Sequence, residues 1–237
     1  MTGTLYVIGV GPGDPELLTL KGARILARVG AICVPRGKKE GESLALSIVS
    51  RALDLRGKEI VEAYFPMRRP RTGLGKELEA QWAETISAVR KRLERGEDTA
   101  FITLGDPTLY STFFYLYERL LEAMPGLSVE IVPGVSSINA AAARARVSLG
   151  LGDGRIAILP APTEADLKAA LEAFHTVVLM KVHKVIVMVK TVLAERGLLG
   201  RAVYVSRLGM ADETICRDLA SLDAADLDYF SLVIVKK

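Results

Sequence analysis

Residues 4–26, TLYVIGVGPGDPELLTLKGARIL, hold the reading on which the fold turns. An apolar run from Leu5 to Val10 feeds into Gly9-Val10-Gly11-Pro12-Gly13-Asp14, and a helical pattern follows. Strand, glycine loop and helix in that order are how a dinucleotide-binding unit begins. Such a loop needs G-x-G-x-x-G running directly into the helix, so that the helix N-terminus meets a pyrophosphate. Here Asp14 takes the place of the third glycine, Pro15 follows, and the helical pattern waits until Thr19. A carboxylate at that place repels a phosphate. The second strand should also end in an acidic residue for the ribose, yet residues 29–39, VGAICVPRGKK, contain none. Arg36 could hold a 2′-phosphate, which keeps an NADP-dependent oxidoreductase open as an alternative. Three glycines and two prolines between Gly9 and Pro15 still imply a stiff turn approached closely by a ligand.

The bulk properties set wide limits around that loop. The chain has 237 residues, half of them hydrophobic and 25% charged, enough for two small domains with real cores and against disorder. The net charge of +3 is too small to argue for nucleic acid. Cys33 and Cys216 lie in apolar, strand-like runs and read as buried reduced thiols. Two Cys and two His at these spacings offer no zinc site, so no metal is expected. No basic stretch precedes an apolar one at the N-terminus. The longest apolar stretch, 176–189, is broken by Lys181, His183 and Lys184. A soluble, cytoplasmic protein with no membrane partner is expected.

Along the chain, strands and helices alternate. Strands are expected at Leu5–Val10, Ala31–Val34 (stopped by Pro35), Glu59–Tyr64 and Thr99–Leu104. Thr19 can cap a helix through Ala27, and Glu42–Ala52 is a second helix. Gly75–Glu94 is a long amphipathic helix, with Leu78, Trp82, Ile86, Val89 and Leu93 on one face. This rhythm implies a mostly parallel sheet covered on both faces. Pro125-Gly126 breaks the pattern and divides the chain into domains 1–124 and 125–237. The second half is expected to be a mixed α/β domain. Its strands are expected at Val129–Val132, Arg155–Leu159, Thr176–Met180, Ala202–Ser206 and Ser231–Val235, with a short antiparallel piece at Glu213–Arg217.

Three further loops leave strands as the opening loop does. Leu104-Gly105-Asp106-Pro107 leads through Leu109-Tyr110-Ser111-Thr112 into a helix. Pro133-Gly134-Val135-Ser136-Ser137 opens another, and Leu179-Met180-Lys181 ends the strand Thr176–Met180. Open α/β sheets bind ligands where loops leave the carboxyl ends of strands.

With these loops in view, the chain resembles the tetrapyrrole methylases, which use S-adenosyl-L-methionine and modify uroporphyrinogen-derived rings. The resemblance runs through GVGPGDPELLTLKG, TLGDPTLYST, EIVPGVSS, VVLMKV and DYFSLVIVKK, essentially the whole chain. Within the family it looks most like the C20-methyltransferases of cobalamin biosynthesis, through CVPRGKKEGESLA, YFPM, PGVSSINAAAA and YFSL. One departure is Ser148, where such relatives carry a proline before the equivalent of Leu149. The resemblance implies a homodimer of two α/β domains. The first forms the side of a substrate trough, and the cofactor binds at the interface of the two. Other targets within the family stay open: uroporphyrinogen, another corrin carbon, an elongation factor or ribosomal RNA. No interleaving of aromatic and basic residues marks an RNA surface.

Carried over by motif, cofactor contacts fall on Pro12, Gly105, Asp106, Leu109, Ser136, Ser137, Met180 and Leu208. Methyl transfer from a sulfonium is an in-line displacement, so catalysis is mostly alignment. A sulfonium is a cation, which suits carbonyl oxygens and a carboxylate such as Asp106. Tyr110 is a candidate for the base that removes the C20 proton. His175 and His183 read as exposed or capping residues rather than bases. The ring substrate carries acetate and propionate carboxylates, which arginine pairs through two hydrogen bonds. Basic clusters at Arg36, Lys38 and Lys39 after one strand and at Arg68, Arg69 and Arg71 in PMRRPRTG suit them, with Arg36, Lys38, Arg68 and Arg69 the candidate substrate contacts.

Overall fold

The run Thr4–Gly9 forms strand β1, and every residue after Thr4 in it is buried. A strand buried on both faces carries no polar alternation, because each face packs against helices. The computed structural model describes residues 2–36, 43–64, 76–223 and 227–237. These divide into two compact units, residues 1–136 and 137–237. The units do not part at Pro125-Gly126, after residue 124, because β5 (Ser128–Val132) pairs in parallel with β1 and so belongs to the first sheet.

In the first unit the elements run β1, α1 (Leu20–Arg28), β2 (Ala31–Arg36), α2 (Leu44–Ala52), β3 (Glu59–Tyr64), α3 (Lys76–Glu94), β4 (Thr99–Thr103), α4 (Phe113–Ala123) and β5. The sheet order is β3-β2-β4-β1-β5, and all its pairs are parallel. Alternate strand residues serve opposite faces. Leu5, Val7, Cys33 and Phe101 pack with Leu78, Trp82, Val89 and Leu93 of α3 and Leu116 of α4. Tyr6, Ile8, Ile32 and Ile102 pack with Ile25 and Leu26 of α1 and Ile48 and Val49 of α2. Ile86, expected in the core face of α3, is only partly buried. Thr19 caps α1, its hydroxyl accepting the Gly22 N–H at 3.1 Å.

Pro35 does not stop β2. It lies opposite Ala63 in the ladder to β3, while pairing with β4 ends at Cys33. Beyond Cys33 one side of β2 is therefore an edge, where a residue without an N–H is tolerated.

In the second unit the order is α5 (Ser137–Arg144), β6 (Ile156–Pro160), α6 (Glu164–Ala173), β7 (Thr176–Met180), α7 (Ile186–Glu195), β8 (Ala202–Ser206), β9 (Thr214–Cys216) and β10 (Ser231–Lys236). The sheet runs β6-β7-β10-β8-β9, with β6 and β7 parallel and β10 antiparallel to both β7 and β8. The short β9 pairs antiparallel with β8, as its sequence suggested. Ala157, Val177, Leu179, Tyr204, Val233 and Val235 pack with Leu167 and Leu171 of α6 and Val189, Val192 and Leu193 of α7. A capping box starts α6: the Thr163 hydroxyl accepts the Asp166 N–H, and the Asp166 carboxylate accepts the Thr163 N–H.

Candidate functional site

All strands of the first sheet are parallel, so their carboxyl ends and the loops that leave them share one edge. Three of those loops meet there backbone to backbone. Gly11 and Gly105 form an isolated antiparallel bridge, Gly11 N–H to Gly105 carbonyl at 3.3 Å and Gly105 N–H to Gly11 carbonyl at 2.8 Å. Both glycines are left-handed, with φ of +80° and +71°. A Cβ on Gly9 would lie 2.5 Å from the Gly105 carbonyl oxygen and 2.8 Å from the Gly134 Cα. A Cβ on Gly134 would lie 2.3 Å from that same oxygen. Side chains have no room at this junction, which is why the loops after β1, β4 and β5 are written in glycine.

The carboxylate of Asp106 ties the junction. One of its oxygens accepts the Gly134 N–H at 2.9 Å, and the other accepts the Thr108 N–H at 2.8 Å and the Thr108 hydroxyl. Burial pushes its pKa up, but the Thr108 hydroxyl and the Gly134 and Thr108 N–H groups outweigh this and hold it below the ordinary value. Asp106 is therefore a fixed negative charge at neutral pH. Leu109 closes the same turn, its N–H reaching the Asp106 carbonyl at 3.3 Å. Tyr110 follows in a left-handed conformation, φ 55°, with 47% of its surface exposed. A bulky residue held there is strained, and such strain clusters at ligand sites. The next residue, Ser111, meets the buried Thr103 hydroxyl at 3.0 Å.

The opening loop differs from a phosphate cradle in the way its sequence indicated. A short 3-10 turn, Pro15–Leu17, separates it from α1, and the Asp14 carboxylate caps that turn by accepting the Glu16 N–H at 2.9 Å. Gly11, Pro12 and Gly13 are buried. Arg36 ends β2 and is ion-paired with Glu62 of β3. Lys38, Lys39, Arg68, Arg69 and Arg71 lie outside the described residues. Ser136 ends the first unit and Ser137 begins α5 in the second.

The second unit has its own distinctive edge. Because β10 is antiparallel to β7 and β8, the carboxyl ends of β6, β7 and β8 lie together with the start of β10. Each of the three strands is followed by a left-handed residue that is not glycine: Ala161 (φ 44°), Lys181 (φ 55°) and Arg207 (φ 49°). Each donates its N–H across the edge, to the Met180, Ser231 and Phe230 carbonyls at 2.8, 2.9 and 2.9 Å. Met180 ends β7 and is half-buried, and Leu208, 7% exposed, follows Arg207. Arg207 is held by Asp212 and Asp228; the Asp212 carboxylate is the larger influence keeping its guanidinium charged. Tyr229 stands beneath the Lys181 ammonium, 5.7 Å from its ring centre, and edge-on to His183 at 5.5 Å. His175 accepts the Arg155 N–H at 3.1 Å, a structural use of its ring.

Ala161, Lys181, Arg207 and Tyr229 were missed from the sequence. Nothing in residue type marks a left-handed alanine, lysine or arginine, although the loop Leu179-Met180-Lys181, Leu208 and DYFS, residues 228–231, point near three of the four. At Ser148 the hydroxyl donates to the Gly150 carbonyl at 3.0 Å, closing the turn within its own loop.

Comparison with known proteins finds similarity along the whole chain. The family model described as tetrapyrrole (corrin/porphyrin) methylases matches residues 4–223. A cobalt-precorrin-2 C(20)-methyltransferase of Salmonella typhimurium is 38% identical over 239 residues, covering 100% of this chain and 98% of that one. A probable cobalt-precorrin-2 C(20)-methyltransferase of Methanocaldococcus jannaschii is 37% identical, covering 98% and 96%. Among solved structures, a uroporphyrin-III C-methyltransferase from Thermus thermophilus, complexed with S-adenosylhomocysteine, shares the fold at a TM-score of 0.68. It is 23% identical and covers 99% of this chain and 98% of that one. A strand-end glycine junction on a parallel sheet, a second mixed sheet and these matches lead to one conclusion: the chain belongs to the tetrapyrrole (corrin/porphyrin) methylases.

Proposed function

We propose that the protein transfers the methyl group of S-adenosyl-L-methionine to the C20 meso carbon of cobalt-precorrin-2. The observation that carries this reading is its similarity, across the whole chain, to two relatives named for that reaction. In the transfer, the C20–methyl bond forms as the sulfur–methyl bond breaks, S-adenosylhomocysteine leaves, and C20 gives up its proton.

The residues present suit a sulfonium donor. To the cofactor we assign Pro12, Gly105, Asp106, Leu109 and Ser136 of the first unit and Ser137, Met180 and Leu208 of the second. The ionised Asp106 supplies a negative charge, and the glycine junction supplies rigid backbone that a ligand can approach closely. Half-buried Met180 and buried Leu208 offer apolar surface for an adenine. To the substrate carboxylates we assign Arg36, Lys38, Arg68 and Arg69. Tyr110 is the candidate for handling the C20 proton, being exposed and held in a strained turn next to the Gly-Asp-Pro loop. On this reading the protein works in the cytoplasm as a homodimer; among the described residues no helix is long and apolar enough to cross a membrane.

The test is to incubate the protein with S-adenosyl-L-methionine and either cobalt-precorrin-2 or precorrin-2. One added methyl, detected by mass and located at C20, with the cobalt form turned over faster, is the expected result. Methylation of uroporphyrinogen or of a different ring carbon would replace the C20 assignment with another activity of the family. Binding of NADPH in place of S-adenosylhomocysteine would overturn the reading altogether.

A further inference from the structure

We propose that Arg51 is a positioning residue that holds the Pro12 loop from outside the site, an inference that rests on the methyltransfer reading above for its consequence in catalysis. Pro12 sits between two anchored neighbours. On one side Gly11 is bridged to Gly105 by two backbone hydrogen bonds, at 3.3 and 2.8 Å. On the other, the buried Gly13 carbonyl accepts a hydrogen bond from the Arg51 guanidinium in the last turn of α2. A buried carbonyl needs a partner, and this one is supplied by a side chain 38 positions away.

The guanidinium is itself splinted, since its Nε lies 3.4 Å from the Ser47 carbonyl one helical turn earlier. The helix that presents it is fixed at its other end to the substrate side of the same sheet edge. Ser43 accepts the Leu46 N–H at 3.5 Å as the cap of α2 and donates its hydroxyl to the Pro35 carbonyl at 2.9 Å. Pro35 directly precedes Arg36, the candidate carboxylate contact. Between these ends Ala45, Ile48 and Val49 are buried, so α2 is seated on the sheet. The helix thus acts as a strut from the residue before Arg36 to the residue after Pro12. In-line transfer is sensitive to sub-ångström placement of the groups lining it, so loosening one end of the strut lowers turnover while leaving most cofactor contacts in place.

The experiment compares Arg51→Met, Arg51→Lys and Arg56→Met with the wild type. Arg56 is an exposed arginine paired with nearby Asp54, and serves as the control for loss of a surface charge. Arg51→Met should lower kcat about tenfold, with S-adenosylhomocysteine affinity within about twofold of wild type and melting little changed. Arg51→Lys, which keeps a donor, should recover most of the loss, and Arg56→Met should match wild type. Amide hydrogen exchange reads the loop without reference to activity: the Gly11 N–H should exchange about tenfold faster in Arg51→Met, with Lys intermediate. Unchanged exchange at Gly11 overturns the proposal whatever the activity. Unchanged kcat, no recovery by lysine, or an equal loss in Arg56→Met overturns its catalytic part. If the wild type methylates no tetrapyrrole, the proposed function fails, and the exchange result alone decides the loop-holding role.

Discussion

Asp106 accepts the Gly134 N–H at 2.9 Å, so one carboxylate joins the loop after β4 to the loop after β5. Its other oxygen is taken by the Thr108 N–H and hydroxyl. An asparagine there keeps one acceptor but turns an amide N–H₂ towards an existing donor. Asp106→Asn should therefore lose about 1–3 kcal/mol of stability at neutral pH, read by denaturant unfolding. The pH dependence has a definite sign. The folded pKa lies below the ordinary 3.8, so the carboxylate's contribution is complete above the unfolded value. It is lost as pH falls through the folded one. The gap between wild type and Asp106→Asn should be flat from pH 7 to about 5 and close below about 4. A gap that widens on acidification contradicts this account.

Gly134 and Gly126 make a matched pair. A Cβ at Gly134 meets the Gly105 carbonyl at 2.3 Å and the Gly9 backbone at 2.8 Å, whereas one at Gly126 meets nothing within 4 Å. Gly134→Ala should cost about 3 kcal/mol or more, because backbone on both sides cannot yield, and should weaken S-adenosylhomocysteine binding. Gly126→Ala should leave stability unchanged or raise it by up to about 1 kcal/mol. Unfolding midpoints and calorimetry decide between them.

Ala161 is exposed and left-handed, with φ 44°. Its methyl group contributes no core packing and strains the backbone. Ala161→Gly should raise stability by about 1 kcal/mol, seen as a higher melting temperature, against the usual destabilising effect of glycine. A lowered melting temperature would show that the turn is unstrained.

The two thiols should differ in reactivity. Cys33 is fully buried, and burial pushes its thiol up to about 12, with the Val34 N–H only partly opposing this. Cys216 is half-buried on β9, beside the Asp218 carbonyl at 3.1 Å. A thiol reagent at neutral pH should modify Cys216 in the native protein and Cys33 only after unfolding.

Arg36 should matter for the ring and not for the methyl donor. It ends β2 and is paired with Glu62, so it is a held cation rather than a free one. Arg36→Gln should weaken cobalt-precorrin-2 binding about tenfold, the loss of one paired arginine–carboxylate contact, and leave S-adenosylhomocysteine affinity unchanged. Equal losses of both, by calorimetry, would remove Arg36 from the substrate set.

Much of the architecture was legible because it rests on local rules. Runs such as Thr176–Met180 and Ala202–Ser206 are mostly apolar and bounded by basic residues, and both are strands with those same limits. The Thr19 cap needs only a hydroxyl before a helical pattern, and it forms. The delayed α1 and the acidic Asp14 were enough to set aside a phosphate-binding loop, and Asp14 does cap a turn of its own. The Thr163-to-Asp166 capping box was also written in the sequence, yet α6 was not read there.

What local rules could not reach depends on which strands become neighbours. Pro125-Gly126 breaks the pattern, but β5 still returns beside β1, so the compact unit extends to Ser136. Pro35 stays within β2 because its ladder to β4 has already ended at Cys33. The glycine loops could be read as close-approach backbone from composition alone. That Gly9, Gly105 and Gly134 approach one another, with Asp106 fastening them, is set by strand order. The left-handed Ala161, Lys181 and Arg207 are decided the same way: each is held by an N–H bond to a neighbouring strand or loop, and residue type carries no trace of it. Residue type and spacing therefore determine where strands, caps and ligand-facing loops arise. Only the packed sheets determine which backbones touch, because those contacts join residues far apart in the chain.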